Sequence, residues 1–473
     1  MDIFAGPGGL NEGFTNVYSA SGQRKFKSAL AAEMDSFAHA TLTLRSFFRN
    51  ARDEDLSGSY YNFIAGFKPM PYDAQTKDLW LTVKDKNLCV TLGSQQGNEL
   101  FDRRLSEVLQ PESHWVLLGG PPCQAYSTAR RWTFRTDDGF DLSGDHRAHL
   151  YKEYLRIIQK FGPSVFVMEN VKGILSSKYF TAIQNDLKNV EFGGFGYNIY
   201  SVVQNEYGEA DPRGFLVKAE EYGVPQRRHR VILLGVRKDI KAIPRKLIPS
   251  QSNVTTYDAL SGLPKLRSRL SKGLNSDEEW MGVVNGYAGY LKAEFGYDSK
   301  IIKKLPQSSS NYSPPKISST YLNWVIDPLL NELPNHATRG HMPEDLGRYL
   351  FAALFGEKHG FSPKSDDFPV KLAPNHKSWN TGKFNDRFRV QIATEPSTTI
   401  VSHISKDGHS FIHYDPNQAR SLTVREAARL QSFPDNYFFC GPRTEQFKQV
   451  GNAVPPLLAH QIGKIVAELF EAI

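Results

Sequence analysis

A thiol, a carboxylate and two guanidinium groups each stand beside a short apolar run, where they could do chemistry. Cys123 follows Trp115-Val116-Leu117-Leu118, which reads as a buried strand, and Gly119-Gly120-Pro121-Pro122, which ends that strand abruptly. Proline fixes its own φ and pushes the preceding residue to extended geometry, so the thiol is presented on a stiff turn. In an open α/β sheet the carboxyl ends of the strands are where ligands bind, and a thiol there can act as a nucleophile. A free cysteine is also commonly a small buried hydrophobe. The apolar run from Pro163 to Met168 brings Glu169-Asn170-Val171 to the same edge, and a carboxylate there is expensive unless paired or used. Arg228 and Arg230 alternate with His229 ahead of the strand candidate Val231 to Val236. Strand periodicity therefore gives them one face, either as solvated charges or as contacts to a ligand.

These groups need a scaffold, and the start of the chain supplies its first part. Asp2-Ile3-Phe4-Ala5-Gly6-Pro7-Gly8-Gly9-Leu10 reads as the tail of a strand, a glycine-rich turn and a helix from Leu10 to Ser19. Backbone N–H groups in such a turn approach a ligand closely. Ser28 to Ala32 is the next strand candidate and ends at Glu33, placed as a carboxylate that binds a ribose hydroxyl would be. Together they point to a nucleoside cofactor, although the turn alone could be only a tight turn. A nicotinamide site would use Gly-x-Gly-x-x-Gly, which this loop is not. Only three residues precede Phe4, so strand one is either very short or clipped. Helices are expected over Asp35–Phe48, His149–Lys160 and Leu457–Phe470, and one capped by Thr423 with Glu426 three residues on. Residues 51–111 give no clear pattern. From about Ile240 the alternation of strand and helix is lost in loop-rich stretches such as Ser313-Pro314-Pro315.

At 473 residues the chain exceeds one ordinary core, and two domains are expected. No apolar run is long enough to span a bilayer, and no signal peptide precedes the first motif. The three cysteines, Cys89, Cys123 and Cys440, lack metal-ligand spacing and are too few for a disulfide framework, so no metal and a cytoplasmic setting are expected. The net charge is +7, which permits a polyanionic partner without requiring one. Residues 241–383 hold 19 Lys and Arg against 13 Asp and Glu, so most of that excess falls outside the reactive segments.

Gly120-Pro121-Pro122-Cys123-Gln124 resembles the nucleophile motif of the cytosine-C5 DNA methyltransferases. Five further segments resemble that family's motifs in the same order: Phe4 to Gly9, Glu169-Asn170-Val171, Gln226-x-Arg228-x-Arg230, Arg420 to Pro434, and Gln449 to Pro456. They cover most of residues 1–240 and 384–473. The resemblance is to the prokaryotic, restriction-modification type. It implies a Rossmann-like α/β methyltransferase domain over 1–240, a smaller irregular target-recognition domain over 241–440, and a segment, 441–473, that returns to the catalytic domain. It implies S-adenosyl-L-methionine as cofactor, with S-adenosyl-L-homocysteine as product. Phe4, Ala5, Gly6, Gly8, Gly9, Leu10, Glu33, Met34, Pro122, Leu150, Asn452 and Val454 would form its pocket. The family's acidic contact to adenine after strand three has no counterpart, because Val90 to Ser94 carries no carboxylate and Asp85 falls on the wrong side.

By the same resemblance Cys123 attacks C6 of cytosine, Glu169 holds the N3/N4 edge and Arg230 meets O2, while Arg228 and Arg230 together would favour the thiolate. Double-stranded DNA would be contacted through Gln124, Ser127, Arg130, Arg131 and Arg339, with Lys265, Arg267, Arg269, Arg348, Lys377 and Lys383 as further candidates. The basic stretch 125–145 reads as a lid over a flipped base, with a solvated surface loop as the alternative. The enzyme is expected to act as a monomer on DNA near the nucleoid, with any cognate restriction endonuclease acting separately and no membrane partner. Two rivals stand beside this: the same chemistry on RNA, against which the large 240–383 insert speaks, and a binding protein with a dead site, against which Cys123, Glu169 and Arg230 speak together.

Overall fold

The computed structural model describes every residue except 111–113, 123–149, 177–178, 204–210, 274, 298–303, 316–318, 376–378, 380–384 and 473. Its centre is an eight-stranded sheet: β1 (Asp2–Ile3), β2 (Ala31–Glu33), β3 (Asn87–Cys89), β4 (Val116–Gly119), β5 (Val165–Val171), β6 (Tyr197–Tyr200), β7 (Leu216–Lys218) and β8 (His229–Arg237). The strands lie in the order β3-β2-β1-β4-β5-β8-β6, with β7 paired to β8 off the path. β1 to β5 run parallel, and β8 is antiparallel to both β5 and β6. The order reverses between β1 and β4, which makes the crevice at their carboxyl ends the topological switch point.

Both faces of the sheet are covered, as a parallel sheet requires. Along each strand alternate side chains enter opposite cores. Val116, Leu118, Val165, Val167, Ile232 and Leu234 face one core, shared with α1 (Gly9–Thr15) and α14 (Pro456–Glu471). Leu117, Phe166, Met168, Val231 and Leu233 face the other, shared with α5 (Gln95–Val108), α6 (Tyr151–Phe161) and α7 (Tyr179–Asn189). The last helix of the chain thus packs on the first.

α1 is shorter than the sequence suggests, because a turn closed by Gly22 and a Tyr18–Arg24 bridge follows it. α2 (Ser36–Asp53) begins at Asp35, whose side chain accepts from Phe37 N and Ala38 N, and runs five residues past Phe48. The stretch that gave no pattern holds α3 (Gly58–Ile64), α4 (Lys77–Lys86), β3 and α5. α6 ends where Gly162 takes a left-handed conformation.

The region after Ile240 is more regular than its sequence implies. It contains α8 (Thr256–Leu260), α9 (Asp277–Phe295), α10 (Thr320–Val325), α11 (Pro343–His359) and a two-stranded pair, β9 (Arg269–Leu270) with β10 (Gly340–His341). α9 and α11 build their own core around Trp280, Leu291, Tyr349, Leu350 and Phe351. α12 (Val424–Leu430) has the expected capping box of Thr423 and Glu426, and with α8, α10 and α13 (Arg443–Asn452) it encloses another core. Among the described residues no helix is long and apolar enough to cross a membrane.

Candidate active site

The carboxyl ends of β1, β2, β4 and β5 meet at the switch point. After β1 the chain makes a tight loop: Phe4 adopts φ 53°, Gly6 φ 56° and Gly8 φ 96°. Ala5 N donates to Ala32 O at 3.2 Å and Gly8 N to Ala5 O at 3.0 Å. Glu33 fixes the mouth of this loop, because its Oε2 accepts from Gly6 N at 2.7 Å and its Oε1 from Asp35 N at 2.8 Å. Burial pushes the Glu33 carboxyl up, against those two N–H groups. A carboxylate has about four acceptor sites, so two remain for hydroxyl donors.

The floor of the loop is closed. A Cβ added at Gly9 would lie 2.2 Å from Val454 O, and one at Gly8 2.7 Å from Leu42 Cδ1. Tyr437 Oη donates to Pro7 O. Beneath lies a buried ion cluster in which Glu12 binds Arg45 at 2.6 Å and Arg49 at 3.1 Å. Burial opposes the Glu12 charge, but the two guanidinium groups hold its carboxyl down to about 2. The mouth is open: a Cβ at Gly6 would meet nothing within 4 Å, and Met34 is 64% exposed. A glycine-lined opening with a carboxylate and an exposed apolar side chain fits an adenosyl group.

The sequence-expected residues of this pocket fall unevenly around it. Phe4, Ala5, Gly6, Gly8, Gly9, Glu33 and Met34 surround the loop. Val454 closes the floor through its carbonyl, and Asn452 is exposed at the end of α13. The Leu10 side chain is buried in the core with α14 and does not line the opening. Pro122 and Leu150 are half-buried at either end of the undescribed 123–149 stretch. Asp85 lies on α4 and pairs with Arg104, away from the strand's carboxyl end.

The second cluster stands one strand over. Arg230 is opposite Val171 in the β5–β8 register, so its diagonal neighbour on the same face is Glu169. Arg230 Nε contacts Glu169 Oε1 at 2.7 Å, with the side chains 12% and 13% exposed. The other carboxylate oxygen lies over the Gly-Pro-Pro turn: a Cβ at Gly120 would be 2.8 Å from Glu169 Oε2. Asn170 Nδ2 donates to Pro121 O at 3.3 Å and ties that turn to β5. Cys123, Gln124, Ser127, Arg130 and Arg131 lie outside the described residues, as do Lys377 and Lys383.

Arg228 does not join this cluster. β8 begins only at His229, and Arg228 N donates to Gln226 O two residues back at 2.7 Å, a tight turn that breaks the strand alternation. Its guanidinium is buried and donates to Ile400 O at 2.8 Å and Gly451 O at 3.1 Å. Burial pushes its pKa well below the usual arginine value, with Arg230 adding to the effect. Burial also lowers Arg230, against the pull of Glu169. Gln226 works beside Arg228: its Oε1 accepts from Ile400 N at 2.9 Å and its Nε2 donates to Gln431 Oε1 at 2.7 Å. Neither Gln226 nor Asn170 was singled out from sequence, although both stand in the quoted motifs.

Arg339 is likewise spent internally. It is buried over the Phe447 ring and donates to Ile404 O at 2.8 Å and Lys406 O at 3.0 Å, so its guanidinium is not available to DNA. Arg267 binds Asp277 at 2.7 Å and Arg348 binds Asp345 at 2.7 Å, both buried, while Lys265 pairs with Asp415. Of these candidates Lys265 and Arg269 stay exposed, Lys265 with its ammonium paired to Asp415. Among the described residues no group of His, Cys, Asp and Glu is placed to hold a metal ion.

The model of the C-5 cytosine-specific DNA methylase family matches residues 64–468. A type II methyltransferase of Bacillus paralicheniformis is 32% identical, over 99% of this chain and 98% of that protein. Another, of Desulfomicrobium norvegicum, is 28% identical over 89% of each chain. Among solved structures, a prophage-encoded Escherichia coli protein described as a DNA modification methyltransferase aligns with a TM-score of 0.51 at 20% identity, over 99% of this chain and 98% of that one, a likeness of fold.

Proposed function

The chain belongs to the C-5 cytosine-specific DNA methylase family and is a DNA cytosine-5 methyltransferase dependent on S-adenosyl-L-methionine, and we propose that it modifies a flipped-out cytosine through a covalent Cys123 adduct. The substrate is a specific duplex sequence, and the setting is a prokaryotic restriction-modification system in the cytoplasm. The enzyme acts as a monomer, and any cognate endonuclease acts separately. The observation that carries the mechanism is the Glu169 carboxylate held between Arg230 and the turn leading to Cys123.

Cytosine C5 is a poor nucleophile. Attack of the Cys123 thiolate on C6 forms a C–S bond and moves the ring's electron pair towards C5, splitting one hard step into two easier ones. Glu169 holds the N3/N4 edge and keeps a proton at N3, so charge does not accumulate on the attacked ring. Arg230 faces the O2 side and stabilises charge that develops there. Phe4, Gly6, Glu33, Met34 and Asn452 would hold S-adenosyl-L-methionine, which would supply the electrophilic methyl group that C5 takes and give S-adenosyl-L-homocysteine as product. Transfer of the C5 proton to water, with the C6–S electron pair returning to Cys123 as thiolate, then restores the ring. A stacked base cannot reach these groups, so it must leave the duplex at a cost of about a few kcal/mol.

We assign residues 1–240 to catalysis, 241–440 to target recognition and 441–473 to completing the cofactor pocket. The packing of α14 on α1 and the approach of Val454 to Gly9 support the last assignment. Bisulfite sequencing of plasmid DNA from methylation-deficient cells expressing the chain tests the reading. Cytosines protected in one short context by the wild type, and by no Cys123→Ala preparation, are expected. Protection that survives in Cys123→Ala would remove Cys123 as nucleophile, and protection confined to cellular RNA would replace the duplex substrate.

A further inference from the structure

A cavity of about 470 Å³ opens where the Gln226–Arg227 segment meets the 389–411 segment, and no role has been given to it. Arg227, Arg389 and His403 line it together with the hydroxyls of Thr398, Thr399 and Ser410, above Phe411. Among the described residues no acidic side chain lines it. The hydroxyl protons are already committed: Thr398 Oγ1 donates to Gln391 at 3.1 Å, Ser410 Oγ to Arg387 O at 3.2 Å, and Thr399 Oγ1 to Arg227 O. As donors to an anion the cavity therefore offers the Arg227 and Arg389 guanidinium groups, with the His403 ring beside them.

Its position and the state of its arginines narrow the ligand. Arg227 N donates to Ser397 O at 2.8 Å, which fixes the wall of the cavity to the chain that continues into β8. Arg227 precedes Arg230 by three residues, at most about 11 Å of extended chain. The cavity wall is thus joined, by a short piece of chain, to the strand that carries Arg230. Arg227 pairs with Glu395, and Arg389 with Asp386, with side chains between one-third and two-thirds exposed. Exposed ion pairs contribute little, so a better-matched anion can take either guanidinium. A guanidinium fork matches phosphate oxygens two at a time.

We propose that this cavity seats a backbone phosphodiester of duplex DNA flanking the target nucleotide, with Arg227 and Arg389 exchanging Glu395 and Asp386 for phosphate oxygens. The proposal rests on the duplex-DNA methyltransferase reading. It makes this cavity a site that positions the substrate and does not read its sequence.

The test titrates full-length wild type, Arg227→Ala, Arg389→Ala and Glu395→Gln against a fluorescein-labelled duplex of random sequence, by anisotropy over a salt series. Each alanine variant should reduce the slope of log K against log salt, by up to about 0.9, the value of the one phosphate that the two arginines share. Binding of S-adenosyl-L-homocysteine should not change. Glu395→Gln should bind the duplex more tightly at low salt, because Arg227 loses its internal competitor. Wild-type slopes in both alanine variants overturn the proposal. So does an unchanged slope with an altered methylation context on plasmid DNA, the mark of base reading. Should an alanine variant fail to fold, Glu395→Gln decides, and unchanged or weaker binding counts against the site. Bisulfite sequencing with the wild type separates the two claims. Reduced slopes without any methylated cytosine would sink the methyltransferase reading and keep a phosphate site, whereas methylated cytosines with unreduced slopes would do the reverse.

Discussion

Removing the Arg230 side chain takes away the cation that faces Glu169 and the site's only described contact to that carboxylate's Oε1. Arg230→Ala is expected to slow single-turnover methyl transfer by about 10²- to 10³-fold, the usual cost of one charge-stabilising donor. Its urea midpoint should shift much less than that of Arg228→Ala. Arg228→Ala has the opposite profile, since it strands the buried carbonyls of Ile400 and Gly451 and leaves a cavity. A loss of about 2–4 kcal/mol is expected from urea unfolding. Similar stability losses in the two variants would contradict this division. In the sequence the two arginines look equivalent, because alternation assumes a strand that already includes position 228. The tight turn at Gln226 is set by tertiary contacts with Ile400 and α12, and no local pattern reports it. Arg339 is hidden for a related reason: composition counts a charge but does not say whether phosphate or a buried carbonyl receives it.

The glycine loop, β2 with Glu33, and the helices capped by Asp35 and Thr423 were legible because each depends on nearby residues: a turn, a cap, a period. α9 and α11 were not. α9 carries Gly282, Gly286 and Gly289, which weaken a helical reading, and the middle of α11 is buried on every side, which erases the polar stripe. Between the first and last helices a direct prediction can be made. Gly9→Ala places a methyl against the Val454 carbonyl, and because the obstacle is backbone it cannot swing aside. The variant should lose about 1–3 kcal/mol of stability, and isothermal titration should show S-adenosyl-L-homocysteine bound at least about tenfold more weakly. Gly58→Ala, where an added Cβ meets nothing, serves as the comparison and should leave both unchanged. Unaltered affinity in Gly9→Ala would separate α14 from the cofactor site.

Taken as a whole, the molecule buries charge and imidazole unusually deeply in its second half. Burial pushes His336 and His413 down to about 4, so the unfolded chain takes up their protons first as the pH falls. Stability is therefore fully present above the ordinary histidine value of about 6.5 and is lost as pH falls towards the folded value, at up to about 1.4 kcal/mol per pH unit for each histidine. Urea midpoints should decline steadily between about pH 7 and about pH 5. A flat profile would mean that both imidazoles are protonated alike in the two states. One joint described above has a further consequence. The segment from Ser397 to Ile400 meets the chain leading to Arg230 largely through its own main chain: Ser397 N to Pro225 O, Arg227 N to Ser397 O, and the two Ile400 backbone groups to the side chains of Gln226 and Arg228. Such a joint asks little of the side chains in that segment beyond the Ser397 and Thr399 hydroxyls, which donate to Pro225 O and Arg227 O, and the Glu395 carboxylate paired with Arg227. Residues after Ile240 that lie outside this joint can drift without re-evolving the connection, so that surface can change while Arg230 and Glu169 stay in register.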